Sequence, residues 1–211
     1  GAGVGRIGIV DVDTIAASNL NRQFLYTVAD IGQPKAEVAG ARLRAYHPDL
    51  VIEPYCLRLN KENALDLFPK FDLIVACVDN KATRRLINQG CHQLAKPLVD
   101  GGIRGFAGYC TLIEPGVTPC FDCLFGLSGL AERSTDQLPP KLSPLFALGA
   151  TASVIGSLQA TLVLLKLLGQ ANPVAGEILE YHGRCLAFDR IKIERDPLCP
   201  VCGGLFSPRL D

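Results

Sequence analysis

The chain has 211 residues, 48% of them apolar, and its 21 Lys+Arg balance 21 Asp+Glu. That is enough apolar material for one α/β domain with a core of its own, and it excludes extended disorder; the zero net charge implies no surface built for general polyanion binding, though it leaves room for a local basic patch, and no nucleic-acid partner is expected. The longest apolar stretch, Ala150 to Leu168, is interrupted by Ser153, Ser157, Gln159, Thr161 and Lys166, so it reads as a buried or dimer-facing helix rather than a membrane span.

In chain order, Arg6 to Val10 reads as a buried parallel strand with Asp11 and Asp13 at its carboxyl end. A polar loop runs through Asn21. Pro34 to Tyr46 reads as a helix, opened by proline and closed before His47-Pro48. Val51 to Leu57 is a second strand and Glu62 to Phe68 a short helix. Asp72 to Val78 is the clearest buried strand, with Asp79 and Asn80 at its end, and Ala82 to Leu94 is the helix that follows. Leu98-Val99 opens a short strand that ends at Asp100-Gly-Gly102, and Phe106 to Glu114 is a further strand. Cys120 opens an irregular Gly, Ser and Pro-rich region extending to about Pro144. After the apolar helix, Glu177 to Tyr181 and Leu186 to Ile193 pair across a His182-Gly183 turn. The order predicts a doubly wound, mostly parallel Rossmann-like sheet with an antiparallel C-terminal part, within a single domain spanning 1–211.

Gly1-Ala-Gly-Val-Gly5 imitates part of a dinucleotide fingerprint. A glycine loop that cradles phosphate follows a strand and opens a helix, because the helix N-terminus binds the anion. These glycines precede a strand. They are read as a turn into Ile7–Val10, with the first strand, the phosphate loop and its helix expected upstream.

Asp11-x-Asp13, Ser18-Asn19-Leu-Asn-Arg22-Gln23, Gly32-Gln-Pro-Lys35 and Val78-Asp79-Asn80 resemble, in order and spacing, the adenylation core of the MoeB/ThiF/HesA family, relatives of the ubiquitin-activating enzymes. The resemblance extends from Gly3 through the last C-x-x-C. Each residue also has a chemical reading. Asp11 suits ribose hydroxyls. Arg22 offers a fork of donors to phosphate oxygens, and Asn19, three residues earlier, shares its face on a helical turn. Lys35 opens a helix, a costly place for a cation unless an anion is near. Asp79 offers a hard oxygen ligand to magnesium. The resemblance implies ATP and Mg2+ as cofactors. It implies adenylation of the C-terminal glycine of a ubiquitin-like sulfur-carrier protein ending in Gly-Gly, with release of pyrophosphate. A homodimer is expected. Taken singly, a strand-end Asp is often only a helix cap, and Arg22 or Lys35 an ordinary surface residue.

Nine cysteines, an odd number, suit a reducing, cytoplasmic setting. Cys120-Phe-Asp-Cys123 and Cys199-Pro-Val-Cys202 supply four thiolates in the pattern of a closed zinc knuckle, the alternative being redox dithiols or disulfides. Some relatives carry a nucleophilic cysteine in the crossover loop. Between Leu124 and Leu168 this chain has none, which favours an enzyme that stops at the adenylate. Cys110 and Cys185 fall in strand-like apolar runs and are expected to be buried and inert. Three other readings stay open: a nicotinamide-dependent oxidoreductase, a non-catalytic partner-binding module, and a relative that activates a carboxylate on modified tRNA.

Overall fold

A computed structural model of the chain describes residues 2–125 and 147–203. The chain divides into two compact units, Gly1–Asn60 and Lys61–Asp211.

In the first unit, β1 (Arg6–Val10) and β2 (Val51–Tyr55) pair in parallel, with Arg6 opposite Val51 and Val10 opposite Tyr55. The crossover carries single 3-10 turns at Ala17–Asn19 and Val28–Asp30 and then α1 (Lys35–Tyr46). Pro34 precedes the helix with φ −62°, already close to helical, and its missing N–H is one the first turn would leave unpaired. His47, extended as a residue before proline should be, stops the helix. Ala36, Val38, Ala39 and Gly40 form the buried face. A Cβ on Gly40 would lie 3.2 Å from the Ile52 side chain, so the glycine lets the helix lie close on β2.

The second unit is a five-stranded sheet in chain order: β3 (Ile74–Ala76), β4 (Leu98–Arg104), β5 (Ala107–Ile113), β6 (Glu177–His182) and β7 (Ala187–Lys192). The β3–β4 pairing is parallel and the rest are antiparallel. This is the expected α/β fold, parallel first and antiparallel towards the C-terminus. Its helices are α2 (Lys61–Leu67), α3 (Lys81–Gln93), α4 (Phe121–Phe125) and α5 (Gly149–Leu167).

The apolar helix α5 lies on β4 and β5 through Thr151, Ile155, Gln159 and Leu162. Ile155 and Leu162 join Val99, Cys110, Leu112, Val174 and Tyr181 in the core, each such side chain contributing roughly 1.5–3 kcal/mol by burial. Gly108 permits the approach, because a Cβ there would fall 2.5 Å from Ile155. Among the described residues α5 alone is long and apolar enough to cross a membrane, by length and composition (mean hydropathy 1.5). One stripe faces the sheet, while Ala150, Ser153, Gly156, Ser157, Ala160 and Thr161 are exposed.

Three elements differ from the sequence reading. β3 is only three residues long, because the carbonyls of Ala76, its last residue, and of Val78 beyond it are taken by the side chains of Gln159 and Arg84. β4 does not stop at Gly101-Gly102 but runs through them to Arg104. The glycines are there for space: a Cβ on Gly101 would lie 2.6 Å from Gln159, and one on Gly102 2.6 Å from the Tyr109 ring. The region read as irregular from Cys120 opens with the helical turn α4. The remainder of that loop, including Ser128–Pro140, lies outside the described residues, as does Gly204.

Candidate nucleotide-handling residues and a four-cysteine centre

In the first unit, Asp11, Asp13 and Lys35 come together. Asp11 continues the ladder past β1, its N–H donating to Tyr55 O at 3.2 Å. Its Oδ1 accepts the Asp13 N–H at 2.9 Å, a turn that orients both carboxylates. Lys35 is 7% exposed. Its Nζ lies 3.1 Å from Asp13 Oδ2 and 3.9 Å from Asp11 Oδ2, and its backbone N–H donates to Asp13 O at 3.0 Å. A cation buried at the positive end of a helix needs compensating charge. Here two carboxylates of the chain supply it. Tyr26 donates to Lys35 O at 3.1 Å, and burial together with the Asp11 charge pushes its phenol up to about 12.

Ser18, Asn19, Arg22 and Gln23 lie on the preceding turn. The expected helical face shared by Asn19 and Arg22 is not formed, because only a single 3-10 turn, Ala17–Asn19, exists there. Asn19 Oδ1 turns back to accept the Ala16 N–H at 2.9 Å. The Arg22 guanidinium folds onto Ser18 O (3.0 Å) and Asn21 Oδ1 (2.9 Å). Asn19 and Arg22 are joined through the main chain instead, Arg22 N donating to Asn19 O at 3.1 Å. Gln23 Oε1 is buried with no donor among the described residues, as would suit an acceptor kept for a ligand.

In the second unit, Asp79 and Asn80 join β3 to α3, both exposed. Asn80 caps α3, its Oδ1 accepting the Thr83 N–H at 2.8 Å. Among the described residues the Asp79 carboxylate has only the weak contact from Asn80 Nδ2 at 3.5 Å. One exposed carboxylate fits magnesium that completes its shell with water and phosphate.

Beneath this loop is a charged network that sequence reasoning missed. Asp100 is fully buried and Arg84 is 9% exposed. Arg84 binds Asp100 Oδ1, and Tyr109 donates to Asp100 Oδ2 at 2.8 Å. The sequence carried a signal: an aspartate inside the apolar run Leu98-Val-Asp100-Gly-Gly102 needs a buried partner.

Cys120, Cys123, Cys199 and Cys202 are all buried, and their Sγ atoms lie within 4.8 Å of one another. The pairs Cys120···Cys199 and Cys123···Cys202 are 3.5 and 3.3 Å apart. A tetrahedral zinc with Zn–S of about 2.3 Å sets sulfurs about 3.8 Å apart, whereas a disulfide needs about 2.05 Å. The four thiols are therefore free, and their placement fits a zinc ion. Burial pushes the Cys120 thiol up, and that of Cys123 to about 11. At Cys199 burial acts the same way but is outweighed by the Cys202 and Val201 backbone N–H groups, so its thiol is lowered. Around the centre, Arg85 Nε donates to Asp122 Oδ1 at 2.8 Å, and Asn88, fully buried, accepts the Phe121 N–H at 3.1 Å. A Cβ on Gly203 would fall 2.5 Å from Cys199 O, so the tail turns only with glycine there.

Of the two remaining candidate nucleophiles, Cys110 is fully buried, its thiol raised to about 11 by burial first and by Asp100 second. Cys185 corrects the sequence reading. It is exposed, in the turn between β6 and β7, with Sγ 3.6 Å from His182 O.

The chain is 40% identical to the sulfur carrier protein adenylyltransferase of Thermus thermophilus over 96% of its own length and 74% of that protein. It is 36% identical to the molybdopterin-synthase adenylyltransferase of Escherichia coli over 96% of this chain and 79% of that one. Among solved structures, E. coli MccB with succinimide superposes with a TM-score of 0.80 at 22% identity, covering 96% of this chain and 60% of that one. MccB with ATP gives 0.77 at 22%, covering 95% and 60%. These two show a common fold, and the chain spans 60% of each. Residues 1–201 match the ThiF family, and the chain belongs to it.

Proposed function

We propose that the chain acts as a single ATP-using adenylation domain. Its substrate is the C-terminal glycine carboxylate of a ubiquitin-like sulfur-carrier protein ending in Gly-Gly. A carboxylate oxygen attacks the α-phosphorus, the bond from that phosphorus to the bridging oxygen of the β-phosphate breaks, and pyrophosphate leaves an acyl-adenylate. The observation that carries this reading is the likeness, at 40% and 36% identity over 96% of the chain, to two enzymes named as adenylyltransferases, one of them of a sulfur carrier protein.

In the first unit Asp11 binds the ribose, with Asp13, Ser18 and Gln23 as further nucleotide-binding residues; in the second unit Asn80 has that role beside Asp79. Arg22 and Lys35 neutralise phosphate oxygens so that a carboxylate can approach, and Asn19 assists with its neutral amide as a hydrogen-bond donor. Asp79 would hold magnesium, which when bound would supply positive charge to screen the pyrophosphate. Zinc on Cys120, Cys123, Cys199 and Cys202 is structural, since four thiolates leave no open position. The exposed small-residue face of α5 suits a second copy of the chain, giving a homodimer in the cytoplasm.

ATP–pyrophosphate exchange with the full-length protein and a Gly-Gly-tailed carrier tests the reading. Exchange should require the carrier and vanish when its terminal glycine is removed. In Asp79→Ala it should vanish while the fold survives. Carrier binding without exchange would instead identify a partner-binding module, and exchange dependent on tRNA would identify a different substrate.

A further inference from the structure

Two backbone carbonyls on the exit from β3, those of Ala76 and Val78, and a third on β4, that of Gly101, are held by buried side chains. Gln159 Nε2 donates to Ala76 O at 3.1 Å. Arg84 Nη2 donates to Gly101 O at 2.8 Å and also to Val78 O. The same guanidinium is paired through Nη1 with Asp100, whose second oxygen is taken by Tyr109, and it lies 5.9 Å from the Tyr109 ring centroid. No oxygen of Asp100 is left without a donor.

We propose that Arg84 and Asp100 are positioning residues that aim the Asp79 carboxylate; this rests on the reading of Asp79 as the magnesium ligand. Asp79 sits between two pinned neighbours. On one side the Val78 carbonyl is fixed by Arg84. On the other, Asn80 is fixed by its cap on Thr83 N. Its own side chain is exposed and nearly unpartnered. The backbone is thus set while the carboxylate stays free for a ligand, the arrangement that preorganisation requires. Stability does not explain the pair, because a buried ion pair seldom outperforms apolar packing of the same volume. What it supplies here is direction. Asp100 fixes the plane of the guanidinium, and the fork then reaches two carbonyls, that of Val78 in the loop after β3 and that of Gly101 on β4. A lysine would keep the charge and lose the fork.

The test uses Arg84→Lys and Asp100→Asn in the full-length protein. The first readout is the magnesium concentration at half-maximal ATP–pyrophosphate exchange. It should rise about tenfold or more in both variants, the range seen when outer-sphere support is removed from a metal ligand, with exchange restored within a few-fold at saturating magnesium. The second is amide hydrogen exchange at residues 77–80 without nucleotide, which should quicken about tenfold while β5 and β6 are unchanged. An unchanged magnesium midpoint with merely less active protein, or unchanged exchange at 77–80, overturns the proposal. So does an Asp79→Asn variant with normal magnesium dependence. If the unaltered protein exchanges pyrophosphate with no carrier, the functional reading fails by itself, and the amide measurement still decides whether the brace exists.

Discussion

Lys35 shows how far single residues could be read. Its placement at the start of a helix is visible in Gly32-Gln-Pro-Lys35, and from that alone a nearby anion follows. The structure supplies anions from the chain itself, with Asp13 at 3.1 Å and Asp11 at 3.9 Å. The lysine is nearly buried, while the Asp13 side chain is 64% exposed. On the proposed reading, ATP would meet a cation already oriented and held by a partner whose charge solvent can readily take over. Lys35→Gln should lower kcat/KM for exchange about 100- to 1000-fold, the usual effect of removing one preorganised charge donor. The fold should persist, since both freed carboxylates reach water. A variant with wild-type exchange would remove Lys35 from the phosphate site. Arg84 and Asp100 were not legible in the same way. They are 16 positions apart on a helix and a strand, and nothing in either local pattern names the other. Cys185 was misread because an apolar run does not reveal which of its residues fall in a turn.

At the scale of elements, the sequence reading located every described strand and every described α-helix except the short turn α4, but not their ends. β3 ends early where side chains from α3 and α5 compete for its backbone carbonyls, and β4 runs late because it stays paired with β5 as far as Arg104 opposite Ala107. A sequence cannot display that competition, because it depends on how helices lie on the sheet. The same helix is tied at its other end. Beyond β5, Glu114 Oε1 accepts from Lys166 of α5 at 2.6 Å, and Oε2 accepts from Asn172 at 3.0 Å. Partial burial raises the Glu114 carboxyl, but these hydrogen bonds and the Lys166 charge outweigh it, so the net shift is downward. A carboxyl lower in the folded than in the unfolded chain stabilises above the ordinary carboxylate range. That stability is lost as pH falls through the folded value. Glu114→Gln should therefore cost about 1 kcal/mol at neutral pH, the pair being partly solvated. The difference from wild type should close below about pH 4, near the ordinary glutamate value. Denaturant melts at pH 7 and in acid would show this, and a constant difference at all pH values would contradict it.

Over the whole molecule, the feature most legible in the sequence is the one joining its most distant parts. The two C-x-x-C pairs announce four thiols at zinc spacing, and the structure brings together cysteines 79 positions apart. Between them in the chain lie α5, β6 and β7. A cross-link closing a loop of that length removes chain entropy from the unfolded state worth roughly 4–5 kcal/mol by the disulfide rule. Zinc binding adds its own affinity, because thiolates poised in the folded chain are scattered in the unfolded one. The short turn α4 is also packed through Phe121 and Leu124, whereas Leu198 beside Cys199 is 89% exposed, so the order of the tail would depend on a bound ion more than that of α4 or the sheet. Purified, reduced protein should carry about one zinc per chain. Chelation, or Cys199→Ser or Cys202→Ser, should lower stability by at least about 4 kcal/mol and open the tail around Leu198 to proteolysis first. Adding zinc back should restore the chelated protein but not the serine variants. Because thiols must lose protons to bind, zinc affinity should also fall as the pH is lowered. Elemental analysis and thermal melts decide the matter: no bound metal in the reduced protein, or serine variants that melt with the wild type, would show that the four cysteines are core packing and not a metal staple.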